Sequence, residues 1–252
     1  MSNKQRHEYE LKFKIGSDRD SILAARKKLQ GADFVPGARS IETDYLPDTP
    51  DDACKRAKIL LRFRQVENAD SRELLLTLKI KQADDGILHF REYETDLYWP
   101  DMTIIATIND LLQSQTGLSL NDAVIRAKTL DEVRVAVKSL GLTKLRILLS
   151  KYRENFSLGK DNATVDYFPD GMGVYVEFES HSSAALRRSI KQVGLDTSAS
   201  IDTDYGDLLK LYKADLRGQA QRTALFPKPE LIVLNDMIKD ASDNIESGMR
   251  AS

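Results

Sequence analysis

The feature that most limits how this chain can fold is a charge alternation with a period of two, repeated in segment after segment. In residues 8–15, EYELKFKI, Glu8, Glu10, Lys12 and Lys14 share one parity; Tyr9, Leu11, Phe13 and Ile15 share the other. Successive strand side chains point to opposite faces, so this segment is a strand with one charged and one apolar face. The pattern returns in residues 59–66, 73–81, 88–97, 146–157, 162–168 and 174–180. A short strand at 41–46, running into the loop LPDTPDD, brings the count to eight. The connections ENADS, LGKDN and PDGMG suit hairpins. Eight strands joined mostly to their neighbours predict an α+β fold built on an antiparallel β-barrel, with helices packed outside.

Helices are expected at 18–31, capped by Ser17 or Asp18 and ended by Gly31, and across 102–140, punctuated near Gly117 and Thr129. Further helices are expected at 182–194 and 205–214. An amphipathic helix at 229–248 uses Leu231, Val233, Leu234, Met237 and Ile238. No strand is expected after Leu216. Residues 1–217 thus read as one domain with a helical insertion at about 102–140, and 218–252 as a helical C-terminal extension. That extension would cover the barrel, contact a second subunit of a homodimer, or stay partly disordered.

The charged parities divide by sign. Acidic pairs occupy the first strand (Glu8, Glu10), the fifth (Glu92, Glu94) and the last (Glu177, Glu179). Basic pairs occupy the third (Arg62, Arg64), fourth (Lys79, Lys81) and sixth (Lys151, Arg153), with Lys12 and Asp166 on others. A half-buried sheet with its charges in solvent would explain any one strand. Repeated like charges two residues apart are locally repulsive and make that reading weaker for all eight. The alternative is a closed sheet whose charged faces line a wet lumen. Carboxylates there would supply hard oxygen ligands for Mg²⁺ or Mn²⁺. Lys and Arg would cradle phosphoryl oxygens. A triphosphate needs many cations on several walls, and the basic census meets that need.

Bulk charge adds no competing signal. The 37 basic and 39 acidic residues leave a net charge of −2, with no overall pull toward nucleic acid or anionic lipid. Cys54 is the sole cysteine, so neither a disulfide within the chain nor a cysteine-rich metal site is possible. His7, His89 and His181 lack zinc-like spacing, and no phosphate-loop motif is present. Asp51, Asp52, Asp84 and Asp85 read as solvated loop charges. No apolar run nears the roughly 18–20 residues of a membrane span, and the N-terminus has no apolar signal core. These features point to a cytoplasmic protein.

The same residues resemble a known family. Glu8-Tyr9-Glu10-Leu11-Lys12 matches the ExExK signature of the CYTH family, or triphosphate tunnel metalloenzymes. TDYLPDTP, LLRFR, LTLK, REYE, KYR, TVDYFPDGMGVYVEFES and DYGDLL resemble its later elements in order, over roughly residues 6–214. That family includes class IV adenylyl cyclases, thiamine triphosphatases and inorganic triphosphatases. The resemblance implies that Glu8, Glu10, Asp166, Glu177 and Glu179 hold Mg²⁺ or Mn²⁺. It implies that Lys12, Arg62, Arg64, Lys79, Lys81, Lys151 and Arg153 bind phosphates, with Lys12, Arg62 and Arg64 closest to the chemistry. Glu92 and Glu94 would serve a second metal or pair with nearby cations. Triphosphate hydrolysis leads, with adenylyl cyclisation of ATP and a non-catalytic polyphosphate- or nucleotide-binding module as alternatives. Trp99, next to Pro100, reads as a packing residue rather than a stacking platform for thiamine.

Overall fold

A computed structural model of the protein describes residues 4–82 and 87–249, with side chains over 8–82 and 87–239. Asp84, Asp85 and the His7 side chain lie outside the described residues. Nine strands are present among those described: β1 Lys4–Gly16, β2 Val35–Asp48, β3 Ile59–Glu67, β4 Arg72–Lys81, β5 Leu88–Asp96, β6 Lys144–Leu158, β7 Asp161–Phe168, β8 Gly173–Ser180 and β9 Thr223–Ala224. The helices are α1 Ser21–Gln30, α2 Ala53–Arg56, α3 Met102–Thr116, α4 Asp122–Ile125, α5 Leu130–Ala136, α6 Ser183–Gln192, α7 Tyr205–Tyr212 and α8 Lys228–Met249.

The first eight strands run in the order β2-β3-β4-β5-β1-β8-β7-β6, and β6 pairs back onto β2. Every pairing within this ring is antiparallel. Closure leaves no free edge along the ring. The helices lie outside, so the α+β expectation holds.

Two strand expectations need correction. β2 is a 14-residue strand rather than a short one. Pro36, Gly37 and Pro47 argue against a continuous strand, but they sit where the β2–β6 register shifts, between Pro36 and Arg39 and between Leu46 and Pro47. Proline is tolerated at such irregularities because the ladder is already interrupted there. The second correction is β9, a strand where none was expected. It pairs in parallel with Leu148 and Leu149 of β6, near the stretch of that strand not paired to β7.

Local chemistry explains the helix limits. Asp18 Oδ1 accepts from the Ser21 backbone N–H at 3.1 Å and from its hydroxyl at 2.9 Å, so a turn precedes α1. Gly31 at its end is right-handed (φ −64°), and the left-handed residue is Asp33 (φ 63°). The 102–140 region breaks where expected. Gly117 ends α3 at φ 73°, and the Thr129 side chain caps α5 by accepting from the Glu132 N–H.

The apolar parities point outward and are buried under the helices. Leu11, Phe13, Val165, Val176 and Phe178 pack with Ile22, Ala25 and Leu29 of α1, Leu186 and Ile190 of α6, and Leu234 and Ile238 of α8. Leu61, Phe63, Leu76, Leu78 and Tyr93 pack with Ile105, Ile108 and Leu112 of α3 and Val133 of α5. Each fully buried Leu or Phe stabilises by about 1.5–3 kcal/mol. The outer core thus holds the ring closed without using the charged faces. At Gly173 (φ 106°) a Cβ would meet the Gly16 carbonyl oxygen at 2.3 Å, so β8 can start beside the end of β1 only with glycine there.

Candidate active site

The charged parities face inward and line a cavity of about 410 Å³ inside the ring. Charged residues are almost never fully buried unless paired. Here Glu8, Glu10, Lys12, Glu42, Arg64, Lys79, Glu92, Lys151, Arg153 and Glu177 are all buried.

Register decides which charges meet. Lys12 lies opposite Glu177, Lys79 opposite Glu92, Asp44 opposite Arg64, Glu42 opposite Lys151 and Arg153 opposite Asp166. On either side of β2, two arginine forks are anchored. Arg64 donates from Nε and Nη2 to Asp44 at 2.6 and 2.8 Å, and its Nη1 lies 3.0 Å from Glu42. Arg153 donates from Nε and Nη2 to both oxygens of Asp166 at 2.6 Å. Lys151 Nζ lies 3.2 Å from Glu42 and 3.6 Å from Asp166. Arg62 is held more loosely, 3.5 Å from Glu94 and 3.2 Å from the Thr77 hydroxyl.

The opposite pole is acidic. Glu10 lies directly across from Glu179 on the paired strands β1 and β8, with Glu8 two residues along. Lys79 is the cation among them, 2.7 Å from Glu8, 2.8 Å from Glu10 and 3.0 Å from Glu92. Glu179 makes no ion pair shorter than 4.0 Å among the described residues.

The electrostatics separate the two poles. Burial, reinforced by Glu179, pushes the Glu8 carboxyl well above the usual carboxylate range despite Lys79. Burial and then Glu177 also raise Glu179. At the basic pole burial works the same way but is outweighed. Lys12 and Arg153 hold Glu177 down to about 2. Arg64 and Arg62 hold Asp44 below its ordinary value, and Arg153 and Lys151 do the same for Asp166. Burial, with Arg153 and Arg64 beside it, lowers the Lys151 ammonium.

Most residues singled out from the sequence line the cavity: Glu8, Glu10, Lys12, Arg62, Arg64, Lys79, Glu92, Glu94, Lys151, Arg153, Glu177 and Glu179. Lys81 and Asp166 are not among its lining residues; Asp166 instead anchors Arg153 from behind. Trp99 is 75% exposed, so it neither packs in the core nor lines the cavity. Sequence reasoning missed Glu42 and Asp44, although their spacing of two repeats the Glu8/Glu10 signal. Tyr205, quoted only as part of DYGDLL and given no role, enters the cavity from α7; periodicity holds no signal for a residue that joins a barrel wall from outside.

The donor set fits a divalent cation by chemistry and by charge. Glu8, Glu10 and Glu179 are hard oxygen donors, and two of them are pushed toward protonation, as expected of a carboxyl cluster short of positive charge. Among the described residues no three carboxyl or imidazole groups stand converged at ligating distance. Lys79 stands between Glu8 and Glu10 instead.

A family model described as the CYTH domain matches residues 6–203. A comparison with curated protein sequences gave no match. The fold resembles a Pyrococcus horikoshii OT3 protein at 19% identity and TM-score 0.57, covering 82% of this chain and 99% of that one. It resembles a conserved hypothetical protein of Pyrococcus furiosus at 20% identity and TM-score 0.53, covering 80% and 99%. A candidate adenylate cyclase of Vibrio parahaemolyticus is similar at 17% identity and TM-score 0.55, covering 82% and 99%.

Proposed function

This chain belongs to the CYTH family, and on that premise we propose that it is a metal-dependent enzyme hydrolysing a small triphosphate inside the ring. One observation carries the reading. The described residues lining the cavity include nine carboxylates and six cations. A module that only bound polyphosphate would need an excess of cations. An acid-rich lumen holding anchored arginine forks needs divalent cations before a triphosphate can enter.

In this reading Glu8, Glu10, Glu177 and Glu179 hold Mg²⁺ or Mn²⁺, Glu92 and Glu94 lie toward a second ion, and Asp166 serves by anchoring Arg153. Bound metal supplies Lewis-acid polarisation of a phosphoryl oxygen and a water of lowered pKa. Arg64 and Arg153 present forks already fixed by Asp44 and Asp166, so little side-chain entropy is lost when they grip phosphoryl oxygens. Lys12, Arg62 and Lys151 place positive charge beside the negatively charged oxygens of the transferring group. Lys79 is committed to three carboxylates and is the cation a metal would compete with.

The test is a turnover screen with Mg²⁺ or Mn²⁺ against inorganic triphosphate, ATP and thiamine triphosphate, with products separated by chromatography. Metal-dependent phosphate release is expected. Cyclic AMP with pyrophosphate would replace hydrolysis by cyclisation. Tight triphosphate binding without metal and without turnover would leave only a binding module.

A further inference from the structure

We propose that Tyr205 is a positioning residue whose ring holds the ammonium groups of Lys12 and Lys151 in the orientation that grips the substrate's phosphates. The inference rests on the triphosphate reading above. Lys12 and Lys151 lie on β1 and β6, which are not neighbours in the ring. One ring meets both: Lys12 Nζ lies 4.9 Å from its centroid and Lys151 Nζ 5.6 Å. Each distance is within the reach of a cation–π contact, which strengthens as water is excluded. Both lysines are nearly fully buried, at 2% and 3% exposure.

The two ammoniums also need what the ring provides. The nearest carboxylate to Lys12 is Glu177 at 3.6 Å, and Lys151 lies 3.2 Å from Glu42. Lys151 also has Asp166 at 3.6 Å, yet all of these contacts are longer than the 2.7–3.0 Å of Lys79, and the ring adds a side that no carboxylate covers. An aromatic face orients a cation without neutralising it, which leaves the full charge available to phosphate. A third carboxylate in the same place would cancel that charge.

The local sequence seats the ring. Asp204 caps α7 by accepting from the Asp207 N–H at 2.8 Å, which sets Tyr205 as the first helical residue. Gly206 follows. A Cβ there would meet Ile147 Cγ1 at 2.7 Å, so a side chain would lift the first turn of α7 off the wall. The ring also packs on Phe168 at 4.5 Å between centroids and on Tyr175 at 5.6 Å, edge-on, which holds its plane.

The test compares Tyr205→Phe, Tyr205→Leu and, as a control within the same helix, Leu209→Ala, all in the full-length protein with saturating Mg²⁺. Leu209 is fully buried and is absent from the cavity lining. The readouts are the Kd of inorganic triphosphate by calorimetry and the split between KM and kcat. Tyr205→Phe should stay within about twofold of wild type, because the ring remains. Tyr205→Leu should weaken triphosphate binding and raise KM about tenfold or more, the loss expected for a desolvated cation–π pair. Leu209→Ala should lower the melting temperature but leave Kd within about twofold. Equal losses in the Phe and Leu variants would overturn the proposal, as would a Leu209→Ala variant that reproduced the loss in Kd. If Tyr205→Leu does not fold, loss of affinity in the folded Phe variant overturns it by itself, and retention supports it. If wild-type protein with Mg²⁺ does not bind triphosphate, the function reading fails and takes this inference with it.

Discussion

Two sets of buried charge sit on opposite faces of β6, and they behave differently. On the outer face, Glu154 is 2% exposed and fully answered. Arg26 donates to it from Nε at 2.9 Å, Tyr152 donates its hydroxyl at 2.8 Å, and Arg39 lies 3.5 Å away while donating to the Met237 carbonyl of α8. On the inner face, Lys151 and Arg153 share a lumen in which acids outnumber bases and two carboxyls are pushed toward protonation. Buried charge alone therefore does not mark a site. Charge left without full compensation, beside a cavity, does.

Breaking the inner set should give the largest effect. Arg64→Ala and Glu10→Gln are each expected to lower turnover about a thousandfold, the scale of losing one preorganised electrostatic group. Glu10→Gln should leave the melting temperature in place, because it removes one charge from a crowded acidic cluster; Arg64→Ala splits a buried pair with Asp44 and Glu42 and should lower it as well. Wild-type activity in either variant, with metal saturating, would remove that residue from the site.

Breaking the outer set should reverse the pattern. Glu154→Ala leaves two arginines and a tyrosine without their acceptor. A loss of about 2–3 kcal/mol in denaturant unfolding is expected, below the usual cost of splitting a buried pair because both arginines reach solvent. Turnover per folded molecule should change less than about threefold. A large loss of kcat with intact stability would erase the contrast between the faces.

Acidity sharpens the contrast inside the lumen. Glu8 and Glu179 have raised folded pKa values, so their contribution to stability is complete below the unfolded carboxylate value and lost as pH rises through the folded one. Metal-free protein should therefore gain stability from them as pH falls from neutrality toward about 4. Glu177, held down to about 2, contributes above the ordinary value and loses that contribution only as pH falls toward 2. Saturating Mg²⁺ should flatten the gain and raise the neutral-pH melting temperature by about 2–4 °C for each kcal/mol relieved. A pH profile unchanged by Mg²⁺ would argue against a metal at Glu8 and Glu179.

The smallest effect belongs to residues outside both sets. Trp99→Ala should move stability by less than about 0.5 kcal/mol and leave KM for thiamine triphosphate unchanged within twofold, given its exposure on the surface. A specific rise in that KM would bring Trp99 back as a recognition residue.

Much of the site was readable before the fold. Period-two alternation identified the strands and sorted Glu8, Arg62, Lys79 and Glu177 onto one parity, because a strand's side chains must alternate. The same rule applies to Glu42 and Asp44, which share one parity inside the strand expected at 41–46 and needed only to be followed there as on the other strands. Lys81 shares the parity of Lys79 but is not among the residues that line the cavity.

What the sequence determined by itself is local: which residues alternate, where turns and caps fall, and which residues share a strand face. Tertiary structure decided the rest. Whether the charged face meets solvent or a lumen depends on β6 pairing with β2, a contact between segments about a hundred residues apart in the chain that no periodicity encodes. Cross-strand register then chose Glu177 for Lys12 and Asp166 for Arg153. Docking of α7 brought one tyrosine against lysines from two separate strands. The physical reason is range. Alternation follows from backbone geometry within a few residues, whereas compensation of buried charge is a sum over every wall of the closed ring.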